Sequence, residues 1–166
     1  MAARDPDLYR PNVGMALFHE NGLVLLARRI GAPPPFVWQM PQGGVDRGED
    51  IQTAALRELE EEIGVTAKHV TLLEELNDWL YYDFPGGLRE EGSKGRFRGQ
   101  RQRWFAFRFH GTDADIRLDS HTPEFTEWRW ARLDAAPSLI VPFKRAVYEE
   151  VARRFAKWAT PSATPG

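Results

Sequence analysis

The strongest constraint on the fold is a change of hydrophobic period between Asp50 and Ile63. Ala55, Leu59 and Ile63 recur every four residues, which is the spacing of one buried stripe on an α-helix. Gly64 follows directly, and glycine is favoured there because the position after a helix often takes left-handed backbone angles. The sequence therefore predicts an amphipathic helix that packs its apolar stripe against another layer.

The polar side of this predicted helix is strongly negative. At about 100° per residue, Glu58, Glu61 and Glu62 fall on one side together with the small Ala54. Like charges three or four residues apart destabilise an isolated helix by roughly 0.2–0.5 kcal/mol per pair. A divalent cation would compensate, because Mg²⁺ and Mn²⁺ prefer oxygen ligands. The alternative is a solvated helix face without a site.

Length and charge limit the class of protein. The 166 residues are 42% hydrophobic, which suits one globular domain with a single core. We predict that this domain spans residues 1–160 and that residues 161–166 form a disordered tail. The formal net charge of −2 excludes a strongly basic nucleic-acid coat and an acidic tail protein, so a local cluster of cations must hold any anionic partner.

Cysteine content and hydropathy indicate the compartment. The chain has no cysteine, which excludes a disulfide framework, a thiolate metal site and a thiol nucleophile. The first residues lack the apolar centre of a signal peptide, and no apolar run approaches the roughly 18 residues that cross a bilayer. We expect a soluble cytoplasmic protein without a membrane partner.

Strand patterns surround the predicted helix. An Asn-Gly pair joins two apolar runs near the N-terminus, which is the signal of a β-hairpin. A second helix is predicted from Pro142 to Trp158, and strands interleaved with two helices favour a domain built on a mixed sheet. The predicted strands lie within residues 12–18, 22–28, 36–40, 70–85, 102–109 and 127–133.

A spaced motif covers the predicted helix and the loop before it. It matches the Nudix box, G-x5-E-x7-R-E-U-x-E-E-x-G-U with U aliphatic, at every position, and a chance match is on the order of 10⁻⁷. The chain therefore resembles the Nudix hydrolases. The matching residues are Gly43, Glu49, Arg57, Glu58, Leu59, Glu61, Glu62, Gly64 and Val65.

The resemblance implies an α/β fold, the Nudix α/β/α sandwich with a mixed β-sheet between helices. It also implies metal-dependent cleavage of a phosphoanhydride. Glu58, Glu61 and Glu62 would be the metal ligands, with Mg²⁺ or Mn²⁺ as the cofactor. These are the same carboxylates that the helical spacing brings to one side.

The other box residues each have a physical interpretation. Gly43 and Gly44 allow the chain to turn sharply beside a phosphate, where a Cβ atom would interfere. Arg57 can hold Glu49 in a bidentate pair and so fix the loop to the helix. We therefore include Gly43 and Gly44 among the substrate-binding residues and Arg57 among the catalytic residues.

Segments from Tyr9 to Arg154 resemble the RNA pyrophosphohydrolase branch and the related asymmetric diadenosine tetraphosphate hydrolases. In that branch a further glutamate completes the metal site or acts as the base, and the matching position here is Glu124. Glu127 is the rival, but neighbouring tryptophans need burial and strand positions alternate, so Glu127 is expected to face solvent. The general base is Glu58 or Glu124, with Glu58 slightly favoured.

The same resemblance suggests how a polyphosphate is held. Arg10, Arg29 and Lys144 would contact phosphates, and a base would stack on Phe143. Each has an alternative: Arg10 as a surface charge, Arg28 in place of Arg29, and Phe143 as a core residue of the last helix.

Three functions compete on this evidence. We favour removal of pyrophosphate from the 5′ triphosphate end of RNA, which would initiate mRNA decay in a bacterium. Hydrolysis of dinucleoside polyphosphates uses the same phosphate site, and a noncatalytic RNA- or nucleotide-binding module is disfavoured by the intact glutamates, although a fold alone never assures activity. The basic stretch 94–103 is interpreted either as a contact to an RNA backbone or as a solvated loop.

Overall fold

Four strands precede the first α-helix and four follow it before the last two α-helices in the computed structural model, which describes residues 4–87 and 97–161. Lys94, Arg96 and all of the predicted tail except Pro161 lie outside these residues. None of the helices within the described ranges is long and apolar enough to cross a bilayer. The strands are β1 Tyr9–Phe18, β2 Val24–Arg29, β3 Trp38–Gln39, β4 Gln42–Gly44, β5 Val70–Glu75, β6 Leu80–Asp83, β7 Gly99–Phe109 and β8 Phe125–Ala131, and the α-helices are α1 Ile51–Ile63, α2 Ala136–Leu139 and α3 Arg145–Arg154.

The eight strands form one mixed sheet. Its main path runs β3-β2-β1-β7-β5, while β4 pairs with β1, β6 with β7 and β8 with β2. The two long central strands β1 and β7 are parallel, from Tyr9 opposite Gly99 to Phe18 opposite Arg108. The other pairings are antiparallel, so the predicted mixed sheet and the N-terminal hairpin are confirmed.

Helices cover both faces of the sheet. Leu59 and Ile63 of α1 share one apolar cluster with Met15 of β1, whereas Val151 of α3 shares the opposite cluster with Phe18 of the same strand. Alternate residues of β1 therefore face opposite helices, as the period of two in a strand requires. Each such buried aliphatic or aromatic side chain contributes about 1.5–3 kcal/mol. The predicted α/β/α sandwich is confirmed.

The boundaries of α1 follow from its caps. The Asp50 side chain accepts a hydrogen bond from the Thr53 backbone N–H at 3.1 Å, which satisfies a donor that the first helical turn leaves free. Gly64 ends the helix with φ of +72°, a conformation that costs other residues about 1–2 kcal/mol. The predicted helix and its ending glycine are both present.

The C-terminal helix differs from the prediction of one continuous helix. A 3₁₀ turn, Pro142–Lys144, precedes α3, and another, Ala156–Trp158, follows it. The segment opens with a hydrogen bond from the Lys144 N–H to the Val141 carbonyl three residues earlier, which is the pattern of a 3₁₀ turn. The short helix α2 was not predicted, because its four residues are too few to show a helical period.

Candidate active site

A cleft of about 300 Å³ opens where α1 meets β4 and the central strands. We call it the glutamate cleft. It brings together most of the residues that the sequence singles out, although they come from five separate parts of the chain. The predicted residues in its lining are Arg10, Arg29, Gly43, Gly44, Glu58, Glu61, Glu62 and Glu124.

Arg57 lies behind the cleft rather than in its lining. Its Nε and Nη2 atoms donate to the two carboxylate oxygens of Glu49, each at 2.8 Å, so the predicted bidentate pair is present. Nη2 also donates to the Gly44 carbonyl at 2.8 Å, and Nη1 donates to Glu58 at 2.8 Å and to Glu61 at 3.1 Å. The two hydrogen bonds from Arg57 to Glu49 lower the pKa of Glu49 to about 2. Arg57 thus ties the loop before α1 to the glutamates of the helix.

Glu58 fits against the backbone of β4. A Cβ atom on Gly43 would overlap the Glu58 carboxyl group, whereas a Cβ atom on Gly44 would have Arg10 as its nearest neighbour at 3.4 Å. Only 7% of Glu58 is exposed, and this burial raises its pKa although Arg57 acts in the opposite direction. Gly43 is therefore the glycine that the close approach requires.

Glu62 carries an unsatisfied oxygen. Its Oε2 atom is buried and has no hydrogen-bond partner among the described residues. Desolvation, and then the negative charges of Glu58 and Glu124, raise the pKa of Glu62 to about 8. An orphaned buried carboxylate is costly unless a cation compensates it.

These carboxylates fit a divalent cation by their chemistry. Hard cations take oxygen ligands, and Glu62 offers a buried one beside Glu58, Glu61 and Glu124. In residues 4–87 and 97–161, no three acidic or histidine side chains already converge to hold an ion. One oxygen of Glu58 and one of Glu61 are instead paired with Arg57.

Two of the sequence alternatives are separated by position. Glu124 lines the cleft from the loop before β8, and its carbonyl accepts a hydrogen bond from the Ile30 N–H at 3.0 Å. Glu127 is exposed on β8 and lies outside the lining. Arg29 lines the cleft and Arg28 does not. Leu25 and Ala27, four and two residues before Arg29 in β2, belong to the apolar cluster under α1, as the period of two in a strand requires.

A second pocket of about 470 Å³ adjoins the cleft, and we call it the aromatic pocket. Phe36, Tyr82, Phe84 and Phe143 contribute rings to its lining. Phe143 is 36% exposed, so its interpretation as a core residue is wrong. The residues common to the cleft and the pocket are Arg29, Gln39, Gln42 and Gln100.

Lys144 adds a second cation, besides Arg29, to the lining of the aromatic pocket. Its Nζ atom lies 5.4 Å from the centre of the Tyr82 ring. Burial, and to a lesser extent the positive charge of Arg29, lower the pKa of Lys144 to about 8. Lys144 therefore loses its charge much nearer to neutral pH than an exposed lysine does.

Comparison with known families decides what kind of chain this is. The family model described as NUDIX domain matches residues 8–151. The chain belongs to the NUDIX family. The matched range contains every predicted site residue, from Arg10 to Lys144.

Relatives of this NUDIX protein match over nearly their full length. It is 56% identical over 154 residues to an RNA pyrophosphohydrolase of Acidiphilium cryptum, with 91% of this chain and 92% of the relative covered. It is 54% identical over 153 residues to an RNA pyrophosphohydrolase of Rhodospirillum rubrum, with 92% and 90% covered. A solved structure of the E. coli dihydroneopterin triphosphate pyrophosphohydrolase matches with a TM-score of 0.68, at 23% identity, over 89% of this chain and 99% of that one. This last likeness shows the fold.

The amide side chains and most of the aromatic side chains of this NUDIX site were not predicted from the sequence. Gln100 and Gln102, two residues apart in β7 and on the same face as the apolar Trp104 and Ala106, were the available signal, because buried polar residues need partners. The missed residues are Asn12, Gln39, Gln42 and Gln100 in the cleft and Phe36, Tyr82 and Phe84 in the aromatic pocket.

Proposed function

We propose that this chain is a metal-dependent RNA pyrophosphohydrolase that acts in the cytoplasm. It removes pyrophosphate from the 5′ triphosphate end of RNA and so initiates mRNA decay. The observation that carries this proposal is the continuity of the glutamate cleft with the aromatic pocket through four shared residues. A polyphosphate in the cleft and a base in the pocket can then belong to one ligand. The names of the relatives that are 56% and 54% identical support the same activity.

Glu58, Glu61, Glu62 and Glu124 are the proposed ligands of Mg²⁺ or Mn²⁺. When bound, such an ion neutralises phosphate charge and makes a coordinated water more acidic. The burial of the Glu62 oxygen favours this assignment, because the fold otherwise leaves it uncompensated. Glu58 and Glu61 each have one oxygen paired with Arg57, so ligation uses the other oxygen or requires the side chain to turn.

Glu58 is our first choice for the general base, and Glu124 is the second. Burial raises the pKa of Glu58 although Arg57 is paired with it, and a raised pKa strengthens the attraction of its carboxylate for the proton of an attacking water. As the water oxygen attacks phosphorus in line, its proton passes to the carboxylate. Pyrophosphate leaves, and the RNA keeps a 5′ monophosphate.

The substrate is held from both sides of the scissile bond. We assign Arg10 and Arg29 to the phosphate chain, because both are cations that line the same cleft as the glutamates. The Gly43-Gly44 backbone lets a phosphate approach closely. Phe143 offers a ring to a base, and Lys144 places a positive charge beside that ring.

Hydrolysis of dinucleoside polyphosphates is the second candidate. One observation favours it: a further hollow of about 490 Å³ lies on the other side of Arg10. Pro11, Val45, Arg47 and Phe97 contribute to this hollow. It offers room for a second base while the phosphates occupy the same cleft.

A direct comparison of substrates tests the proposal. The protein is incubated with 5′-triphosphorylated RNA and with diadenosine tetraphosphate, each in Mg²⁺ and in EDTA. We expect faster turnover of the RNA, a 5′-monophosphorylated product and no turnover in EDTA. A higher kcat/KM for the dinucleotide would favour the second candidate. A folded protein that binds both ligands and cleaves neither would be a binding module.

A further inference from the structure

Four side chains from β1, β4 and β7 form a hydrogen-bonded relay behind the glutamate cleft. The Trp104 indole Nε1 donates to Gln102 Oε1 at 3.1 Å. Gln102 Nε2 then donates to Asn12 Oδ1 and to Gln42 Oε1, each at 2.9 Å. Asn12 and Gln42 are both in the cleft lining, whereas Gln102 and Trp104 are not.

The hydrogen bonds of the relay can run in only one donor-to-acceptor direction. An indole N–H can donate and cannot accept, so the group that Gln102 turns to Trp104 must be its carbonyl oxygen. The Gln102 amide nitrogen then faces the other way, and its two hydrogens are used by Asn12 and Gln42. These two residues must offer Gln102 their oxygens. Their NH₂ groups are therefore the end that is left for the cleft.

Packing keeps the relay in place. Trp104 is fully buried and Gln102 is only 2% exposed, so water has little access with which to replace the amide partners. The indole lies directly over Gly14, where a Cβ atom would overlap the ring. The ring of Tyr148 meets it edge-on, with 5.7 Å between ring centres.

The neighbouring Gln100 does not have this constraint. Its carbonyl oxygen accepts from the Tyr82 hydroxyl, but a hydroxyl can donate or accept, so it does not dictate which end of the amide faces the cleft. The indole of Trp104 does dictate it for the relay. Gln100 and Gln102 thus differ in kind: the partner of Gln102 fixes the direction of its amide, and the partner of Gln100 does not.

We propose that Trp104 and Gln102 are positioning residues that set the polarity of the cleft. Through them, Asn12 and Gln42 present only hydrogen-bond donors to the phosphate chain of the substrate. Phosphate oxygens accept hydrogen bonds, so donors held in advance stabilise them, whereas reversed amides would turn carbonyl oxygens toward the negative charge. The proposal rests on the pyrophosphohydrolase function and adds a determinant of its substrate affinity.

Gln102→Glu is the decisive variant. A carboxylate of nearly the same shape still accepts from Trp104 but cannot donate, so Asn12 and Gln42 must turn their NH₂ groups inward and their oxygens to the cleft. Trp104→Phe removes the indole N–H without changing any charge, and Gln102→Met removes the relay with a neutral side chain. Gln52→Glu is the matched control, because it makes the same chemical change at an exposed position of α1.

The probe is a 5′-triphosphorylated dinucleotide with an α,β-methylene bridge, which cannot lose pyrophosphate. In Mg²⁺ we expect its Kd to rise about 10- to 100-fold in Gln102→Glu and about 3- to 10-fold in Trp104→Phe and Gln102→Met, with Gln52→Glu unchanged. Mn²⁺ affinity should stay as in the unmodified protein. The side-chain NH₂ signals of Asn12 and Gln42 in ¹⁵N spectra should shift on binding, and this shift should be lost in Gln102→Glu.

The outcomes separate the two proposals. If the unmodified protein binds the probe and folded Gln102→Glu binds it equally well, the polarity proposal is wrong and the function stands. If Gln102→Glu does not fold, equal binding in Trp104→Phe and Gln102→Met overturns the proposal in the same way. If the unmodified protein does not bind the probe, both proposals fail.

Discussion

Glu62 and Glu60 occupy the same helix but face different surroundings. Glu60 is exposed, while Glu62 has a buried oxygen with no partner in the described part of the chain. Such an oxygen does not stabilise the fold in the absence of a cation, since its charge is desolvated and lies near Glu58 and Glu124. A cation bound in the cleft, as proposed, would compensate this cost.

Glu62→Gln should therefore affect activity and stability in opposite ways. We expect turnover of triphosphorylated RNA to fall on the order of 100-fold. The melting temperature in EDTA should be unchanged or higher, by about 2–4 °C for each kcal/mol of repulsion relieved. Glu60→Gln is the control and should leave both quantities unchanged. Full activity in Glu62→Gln would show that Glu62 is not needed for turnover.

Lys144 gives the site a predicted pH dependence. Because its pKa is lowered to about 8, Lys144 is positively charged below that pH and becomes neutral as the pH rises through 8. We expect kcat/KM for triphosphorylated RNA to fall over this range. In Lys144→Arg the guanidinium stays charged, so this fall should disappear. A fall of the same size in both proteins would assign it to another group.

Between neighbouring elements, the contact of α1 with β4 determines where the Glu58 carboxylate lies. Gly43 leaves room for that carboxylate because it has no Cβ atom, whereas a Cβ atom on Gly44 would not reach Glu58. Gly43→Ala should push Glu58 aside while the fold is kept, and a displacement of about 1 Å can cost about 100-fold in rate. Gly44→Ala is the comparison variant: a Cβ atom there would have Arg10 and the approaching phosphate as neighbours but not Glu58, so its loss of rate should be smaller. Equal rates in the two variants would show that the Glu58 position is not critical.

The sequence predicted those elements that depend on local patterns. The α1 glutamates share a side because of the helical period alone, and Asp50 and Gly64 signal its ends. The extent of the last helix was overestimated, because the apolar spacing continues through the 3₁₀ turns on both sides of α3 and does not distinguish them from α-helical turns. The choice of Arg29 over Arg28 follows the period of two in β2, because Leu25 and Ala27, four and two residues before Arg29, pack in the cluster under α1. Which face of β2 this helix covers does not follow from the sequence of β2 alone.

Across the protein, the aromatic pocket is assembled from distant segments. The rings of Tyr82 and Phe143 lie 5.7 Å apart between centres, although they are far apart in sequence. Phe143→Ala should raise KM for triphosphorylated RNA about 5- to 150-fold, the equivalent of about 1–3 kcal/mol for one stacked base. The effect on kcat and on Mn²⁺ affinity should be smaller.

Leu72→Ala is the control for Phe143→Ala, because Leu72 is also an exposed large hydrophobic residue but lies on β5, outside both pockets. It should leave KM as it is. An unchanged KM in Phe143→Ala would mean that no base stacks on this ring.

The same long-range assembly explains which site residues the sequence did not reveal. Gln102 meets Asn12 and Gln42 only because β1 pairs in parallel with β7 and antiparallel with β4. The spacing of residues within one segment does not predict a contact between side chains of three different strands. The glutamates could be found because one helix carries three of them, whereas the amides and rings required the complete sheet.

The most direct test of the proposed activity is the fate of the 5′ phosphates of a single RNA. An RNA with a labelled β-phosphate in its 5′ triphosphate is incubated with the protein in Mg²⁺, with Glu58→Gln as the blank. We predict that the label leaves in pyrophosphate, with one pyrophosphate released for each 5′-monophosphorylated RNA formed. Glu58→Gln should release almost no label. Label retained on a 5′-diphosphorylated RNA, or no release by the folded protein, would contradict it.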